Sequence, residues 1–417
     1  MRNFSYHLSA FGEKFQKKSG ILELMDDLGN ALSSGQMYML GGGNPAHIPK
    51  VEKLFIMTSK KILKDKNLYK SLIGNYDPPQ GNPSFLRSMA KLLQSRGLKI
   101  TEKNIAITSG SQSAFFILFN LFAGKNSDGI HKHIILPYVP EYIGYAEQGI
   151  WDDTFRSFKP KIEFKGNDFF KYNIDFDNLS TEDAGAICIS RPTNPSGNVI
   201  SDEEVNKLFA LAKKQNIPLI IDNAYGNPFP GIIFSETNLQ WEPGMILVMS
   251  LSKLGLPGTR TGIVIAEEEI IQLVTNANAI ISLANNNMGQ AIADALIRSD
   301  KMIKLVNEDI IPFYRKKSKK AISLLQRELK GINYKIHISE GAFFLWLWLP
   351  DLGITSLQLY QALKKEKVIV VPGEFFFAGL DENWKHVTQC IRISFAQDEK
   401  IIEEGIKIIA RTIKNIY

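Results

Sequence analysis

An α/β fold is expected for this chain, with a large lobe on a mostly parallel sheet covered by helices and a smaller α+β lobe. Three observations lead there. The length, 417 residues, is too great for one small domain and suits two unequal lobes. From about residue 100, short apolar runs alternate with amphipathic helical stretches, the pattern of a parallel sheet with both faces covered. Beyond about residue 330 this gives way to strands and helices in mixed order. The expected division is an N-terminal arm and part of the small lobe over 1–54, the large lobe over 55–300 and the small lobe over 301–417.

Along the chain, Phe11 to Leu32 reads as an arm with a helical stripe (Ile21, Leu24, Met25, Leu28). Tyr38 to Leu40 precedes Gly41-Gly42-Gly43-Asn44-Pro45, whose amides could cradle a ligand or form a plain turn; the run lacks the spacing of a dinucleotide motif. A helix leads to the turn-rich loop Gly74 to Gly81, which displays Tyr76. The strand Ile105 to Thr108 is followed by Ser109-Gly110-Ser111-Gln112 and a helix to Phe122. A small-residue turn opening a helix offers N–H groups and the positive end of the helix dipole to an anion. Ile134 to Leu136 runs into a loop carrying Tyr138 and Tyr142, both suited to cover a flat ring. Ile187 to Ile189 leads to Asn194, held between Pro192 and Pro195. Ser201 and Glu204 make a capping box, and Leu219 to Ile221 ends at Asp222 and Tyr225.

Ligands of open α/β sheets sit outside the carboxyl ends of the strands, and the chemistry of this chain gathers there. The run Met245 to Met249 stops at Ser250, Ser252 and Lys253, and Arg260 follows past Pro257-Gly258. A lysine at a buried strand end loses hydration, so its amine becomes a nucleophile. Hydroxyls and an arginine fork suit a phosphate, and amine plus phosphate clamp point to pyridoxal 5′-phosphate. In the last part, strands are expected at Tyr334 to Ile338, Phe343 to Leu349, Val368 to Val371 and Cys390 to Phe395, with helices Leu357 to Lys365 and Glu399 to Lys414. Arg392 alternates with Ile391 and Ile393; an inward charge needs an anion, either a ligand or a buried ion-pair partner.

Composition narrows the alternatives. The net charge of +6 is modest for this length, and the lysine runs near 60–70 and 315–320 read as solvated helix faces, so no nucleic acid is expected. Cys188 and Cys390, each in an apolar run, suit a reducing compartment and buried packing. His131 and His133 read as structural, with no metal expected. The most apolar run, Ala342 to Leu349, is too short to span a bilayer, so no membrane is expected and the location is taken as cytoplasmic.

Taken together, Gly43-Asn44-Pro45, Tyr76, Ser109-Gly110-Ser111-Gln112, Asn194-Pro195-Ser196-Gly197, Asp222-Asn223-Ala224-Tyr225, Ser250-Leu251-Ser252-Lys253, Arg260 and Arg392 resemble a fold-type I pyridoxal-phosphate aminotransferase of class I/II, in family order over residues 40–396. The resemblance implies that Lys253 bonds the cofactor and moves the substrate's proton, and that Asp222 pairs with the ring nitrogen. Tyr225 and Asn194 would bond the ring's phenolic oxygen. Ser109 to Gln112, Ser250, Ser252 and Arg260 would hold the phosphate. Arg392, with Asn194 and the Gly43 amide, would hold the substrate carboxylate, and Tyr76 would reach the neighbouring site of a homodimer. Counting from Pro140 makes Tyr142 the ring-stacking residue, with Tyr138 as the alternative. Arg260 follows Lys253 by seven residues, a spacing found in the aminoadipate-type subgroup, and Asn285-Asn286-Asn287 stands where relatives carry small residues near the site mouth. The expected partners are small amino acids and 2-oxo acids. The activity implied is transamination of small aliphatic amino acids, with a carbon–sulfur lyase of the same fold as the alternative. A DNA-binding regulator on this fold is disfavoured, because Gly43-Asn44-Pro45 comes early in the chain.

Overall fold

Branched apolar runs too short for helices become the central strands of an eight-stranded sheet. The structure, a computed structural model, describes residues 6–15, 29, 37–381 and 383–417. The expected helical stripe at Ile21 to Leu28 lies outside the described residues. Across the sheet the order is Ile105–Thr108, Gly262–Ile265, Met245–Ser250, Leu219–Asp222, Ala184–Ser190, His131–Leu136 and Gly124–Lys125, with Phe155–Ser157 also paired to His131–Leu136. The centre, from Met245–Ser250 to His131–Leu136, is parallel, whereas Gly262–Ile265 runs antiparallel to both neighbours. Met245–Ser250, Leu219–Asp222 and Gly262–Ile265 are buried at every position, as strands covered on both faces must be. Parallel register also brings Ser190, Asp222 and Val248 side by side, so the functional loops leave from one edge.

The helices follow their capping residues. Ser201 and Glu204 form the reciprocal cap of Asp202–Gln215, and Asn216 ends that helix in the left-handed region. Around Pro312 the helical stretch is divided: Lys301–Leu305 passes through a π-helical turn, Val306–Ile310, into Ile311–Glu328, with Pro312 in the first turn where its missing N–H costs nothing.

A second sheet of six strands builds the smaller lobe, in the order Val371–Pro372, Cys390–Ser394, Phe344–Trp348, Lys335–His337, Phe169–Asn173, Lys161–Lys165. Its last two strands form a hairpin from the middle of the chain, joined to Lys335–His337 in parallel. Tyr38–Met39 pairs with Val368–Ile369, tying the early chain to this lobe. Trp346 is fully buried and donates to the Tyr172 hydroxyl at 2.9 Å, in an aromatic cluster with Phe376 and His386. Cys188 and Cys390 are free and buried. The His131 and His133 rings lie 5.1 Å apart, tilted by 46°, with Trp151 edge-on to His131 and Asp153 beside them, His131 pairing with Asp153 at 3.0 Å. Among the described residues no helix is long and apolar enough to cross a membrane.

Candidate active site

Ten of the expected side chains line one cavity at the carboxyl ends of the parallel strands: Ser111, Gln112, Tyr142, Asn194, Asp222, Tyr225, Ser250, Ser252, Lys253 and Arg260. Lys253 leaves the buried end of Met245–Ser250 and donates from Nζ to the Gly43 carbonyl at 2.8 Å. Burial first, and then the Arg392 and Arg260 charges, lower its ammonium to about 8, against the opposing pull of Asp222. A neutral, nucleophilic amine is thus within reach near pH 7.

Asp222 caps its strand opposite the lysine. Its Oδ2 accepts from the Tyr145 hydroxyl at 2.7 Å and its Oδ1 from the Ala224 amide at 3.0 Å. Burial raises the carboxyl to about 6, while those two bonds and Lys253 pull it back down. An anion held in so dry a setting is suited to a cationic ring nitrogen.

The phosphate end rests on a close approach of backbones. Gly110 precedes Ser111–Phe122 at φ +89°, and a Cβ there would meet Arg260 Nη2 at 2.2 Å, so only glycine lets the guanidinium lie against the helix start. Arg260 itself is left-handed, φ +46°, at the end of the short 3-10 turn Pro257–Thr259, which is how the Pro-Gly turn returns the arginine to the site. Ser250 is buried, and its hydroxyl accepts from the Ser252 amide at 3.1 Å.

At the other end, Arg392 is buried on Cys390–Ser394. It donates to Asn194 Oδ1 and to the Gly41 carbonyl, both at 2.7 Å, with its guanidinium 4.1 Å from the centre of the Phe344 ring. Burial lowers it to about 10, and its Nε has no hydrogen-bond partner. The Tyr225 hydroxyl is also buried and unbonded. Tyr225 on the cavity wall and Arg392 behind Asn194 are two orphaned polar groups that an aromatic phosphate ligand with a neighbouring carboxylate would satisfy, so the residues present fit pyridoxal phosphate.

Several expected residues stand elsewhere. Tyr138 is wholly buried behind the cavity, its hydroxyl bonded to Thr193 and Asn198, each at 2.8 Å, which leaves Tyr142 as the ring at the cavity wall. Ser109 sits outside the lining, 3.5 Å from Asn285. Gly43 meets Lys253 through its carbonyl. Tyr76 is 81% exposed and away from the cavity of its own chain. Asn285 ties the Pro79 and Ile107 carbonyls and Asn287 bonds the Leu72 carbonyl; neither lines the cavity. Sequence reasoning missed Tyr145 and Ser190, and it offered the Gly41 amide where the structure uses the Gly41 carbonyl, on Arg392. Tyr145, three residues after Tyr142 in the same aromatic run, was the signal available for the first.

The fold and the site define a class, and comparison with known proteins agrees. Residues 55–409 match the family Aminotransferase class I and II, and the chain belongs to that family. It is a pyridoxal-phosphate-dependent aminotransferase of fold type I, acting on amino and 2-oxo acids. It is 49% identical over 411 residues to the valine–pyruvate aminotransferase of Escherichia coli (strain K12), covering 98% of each chain. The crystal structure of valine–pyruvate aminotransferase from Salmonella typhimurium superposes with a TM-score of 0.88 at 47% identity, over 95% of this chain and 99% of that one. The α-aminoadipate aminotransferase of Thermus thermophilus, solved with N-(5′-phosphopyridoxyl)-L-leucine, shares the fold at a TM-score of 0.78 and 21% identity, over 98% of this chain and 97% of that one.

Proposed function

We propose that this enzyme exchanges the amino group of valine, and of similar small aliphatic amino acids, with pyruvate, giving 2-oxo-3-methylbutanoate and alanine. The single observation that carries the reading is 49% identity along 98% of both chains to the Escherichia coli enzyme of that name. Two lobes, divided near residues 54 and 300 except for the hairpin 161–173, which joins the smaller lobe's sheet, would enclose the site.

When bound, pyridoxal phosphate supplies an aldehyde for the amino group and a ring that accepts electrons from the substrate's Cα. In this reading Lys253 would hold the cofactor and would carry the proton lost from the substrate's Cα. Asp222 would keep the ring nitrogen protonated through its negative charge, and Tyr142 would cover the ring face. Tyr225 and Asn194 would donate to the ring's phenolic oxygen. Arg260, Ser250, Ser252 and the helix start at Gly110 to Gln112 would hold the phosphate. Arg392, aided by Asn194 and the Gly43 amide, fixes the substrate carboxylate and so aims the Cα–H bond. The enzyme is read as a cytoplasmic homodimer, with Tyr76 reaching the partner's phosphate; its exposure beside Leu68, Tyr69 and Ile73 supports this.

Mixing the enzyme with valine and pyruvate and measuring alanine tests the reading. Alanine formed at a rate that valine limits is the expected result. Ammonia and pyruvate released from cystathionine, with no alanine from valine, would replace it with the carbon–sulfur lyase alternative.

A further inference from the structure

Behind Asp222 lies a row of buried polar groups that the proposed chemistry does not use. Glu141 is 2% exposed; its Oε1 accepts from the Ser190 amide at 2.8 Å and its Oε2 meets the Ser190 hydroxyl at 2.5 Å. The Ser190 hydroxyl lies 3.2 Å from the Tyr145 hydroxyl, and Tyr145 lies 2.7 Å from Asp222 Oδ2. The row Glu141–Ser190–Tyr145–Asp222 therefore has three oxygen–oxygen links.

Counting protons decides its charge. Ser190 and Tyr145 bring one hydroxyl proton each, which fills two links and leaves two oxygens facing each other without a proton. A proton on one of the two carboxyls fills the third link. With that proton on Glu141, every link donates in one direction: Glu141 to Ser190, Ser190 to Tyr145, Tyr145 to Asp222. With it on Asp222 the direction reverses, and the negative charge moves to Glu141. We propose that Glu141 is a positioning residue that holds the third proton of this relay, and so leaves the negative charge on Asp222 for the ring nitrogen. The inference rests on the reading of Asp222 given above.

The surroundings of the two acids favour that end. The groups facing Glu141 are Asp222, Tyr138, Tyr145 and Cys188, none of them a cation, whereas Asp222 faces Lys253. Burial pushes Glu141 up to about 8, above the value near 6 for Asp222, so between those values the proton resides on Glu141. Aligned hydroxyls polarise one another, so the filled chain strengthens the Tyr145 bond to Asp222.

Carbon-13 NMR of the apoenzyme, labelled at Glu Cδ and Asp Cγ, tests the relay. At pH 7 one glutamate signal is expected at the protonated position, absent in Glu141→Gln and present in Asp222→Asn. Ser190→Ala, which removes two of the three links, is expected to raise the Asp222 midpoint by about one pH unit, a tenfold change in proton affinity. Glu141→Gln, whose amide still donates to Ser190, should hold that midpoint near its wild-type value. An ionised Glu141 at pH 7, or an Asp222 midpoint that ignores Ser190→Ala, would overturn the relay. The reading of Asp222 is tested separately by the nitrogen-15 shift of the bound cofactor ring: it should move in Asp222→Asn, and an unmoved shift would overturn that reading whatever the carbon spectra show.

Discussion

The two ends of the cavity are built in opposite ways. The phosphate end is local in space and is made within one sheet: Gly110 to Gln112 and Ser250 to Arg260 follow Ile105–Thr108 and Met245–Ser250, the two strands that flank Gly262–Ile265. The carboxylate end is assembled across the fold, because Arg392 meets Asn194, 198 residues away, and Gly41, 351 residues away. Lys253 stands between them, tied by its hydrogen bond to Gly43. A local cradle depends on backbone geometry, whereas an assembled fork depends on two lobes packing correctly. Damage at the first end should therefore weaken cofactor binding, and damage at the second should weaken substrate binding.

Replacing the group between the ends should have the largest effect. Lys253→Ala is expected to abolish turnover and the absorbance of the lysine-linked cofactor; a coloured, active variant would refute the assignment of Lys253. The same lysine carries a pH signature in the apoenzyme. Its ammonium falls from 10.5 to about 8 on folding, so below pH 8 the protein holds a buried charge at a cost of about 3 kcal/mol. Between about pH 8 and 10.5 the unfolded chain binds the extra proton, so stability contributed at this position rises with pH in that window. Denaturant melts of the apoenzyme and of Lys253→Met should thus converge as pH rises toward 10.5, and a constant gap would contradict the buried charge.

At the assembled end, Arg392→Ala should raise KM for amino and 2-oxo acids together, by about 10- to 100-fold, the loss of a charge-assisted pair at roughly 1.5–3 kcal/mol. Cofactor affinity should stay near wild type, and an unchanged KM across several substrates would remove Arg392 from the site. The smallest effect is expected at the local end. Gly110→Ala places a methyl on Arg260 and strains a positive φ, at a cost of about 1–2 kcal/mol, so the dissociation constant of pyridoxal phosphate should rise about tenfold. Equilibrium dialysis of the cofactor measures it. An equal loss of cofactor and carboxylate binding in both variants would erase the contrast between the two ends.

The phosphate end was readable because each of its two loops keeps its own residues close in sequence. Hydroxyls, glycine and Arg260 within a few positions of apolar runs are enough to suggest an anion. Asn285 shows the limit: it stood near the expected mouth but braces the Pro79 and Ile107 carbonyls instead. Tyr138 and Tyr142 could not be separated by counting, because a turn decides which ring faces in. Tyr138 turns toward Thr193 and Asn198.

By itself the sequence determined the strands whose ends carry the site, the lysine and acid at neighbouring strand ends, and the family to which they belong. Those properties depend on short-range periodicity and on chemistry attached to each strand. Only the tertiary structure decided that the hairpin 161–173 leaves its neighbours in the chain to extend the smaller lobe's sheet. It also decided that Arg392 finds Asn194 and Gly41, and that Glu141 stands two groups behind Asp222. Each of these is a contact between distant segments, where pairing depends on which buried polar groups satisfy one another, and no spacing along the chain records that.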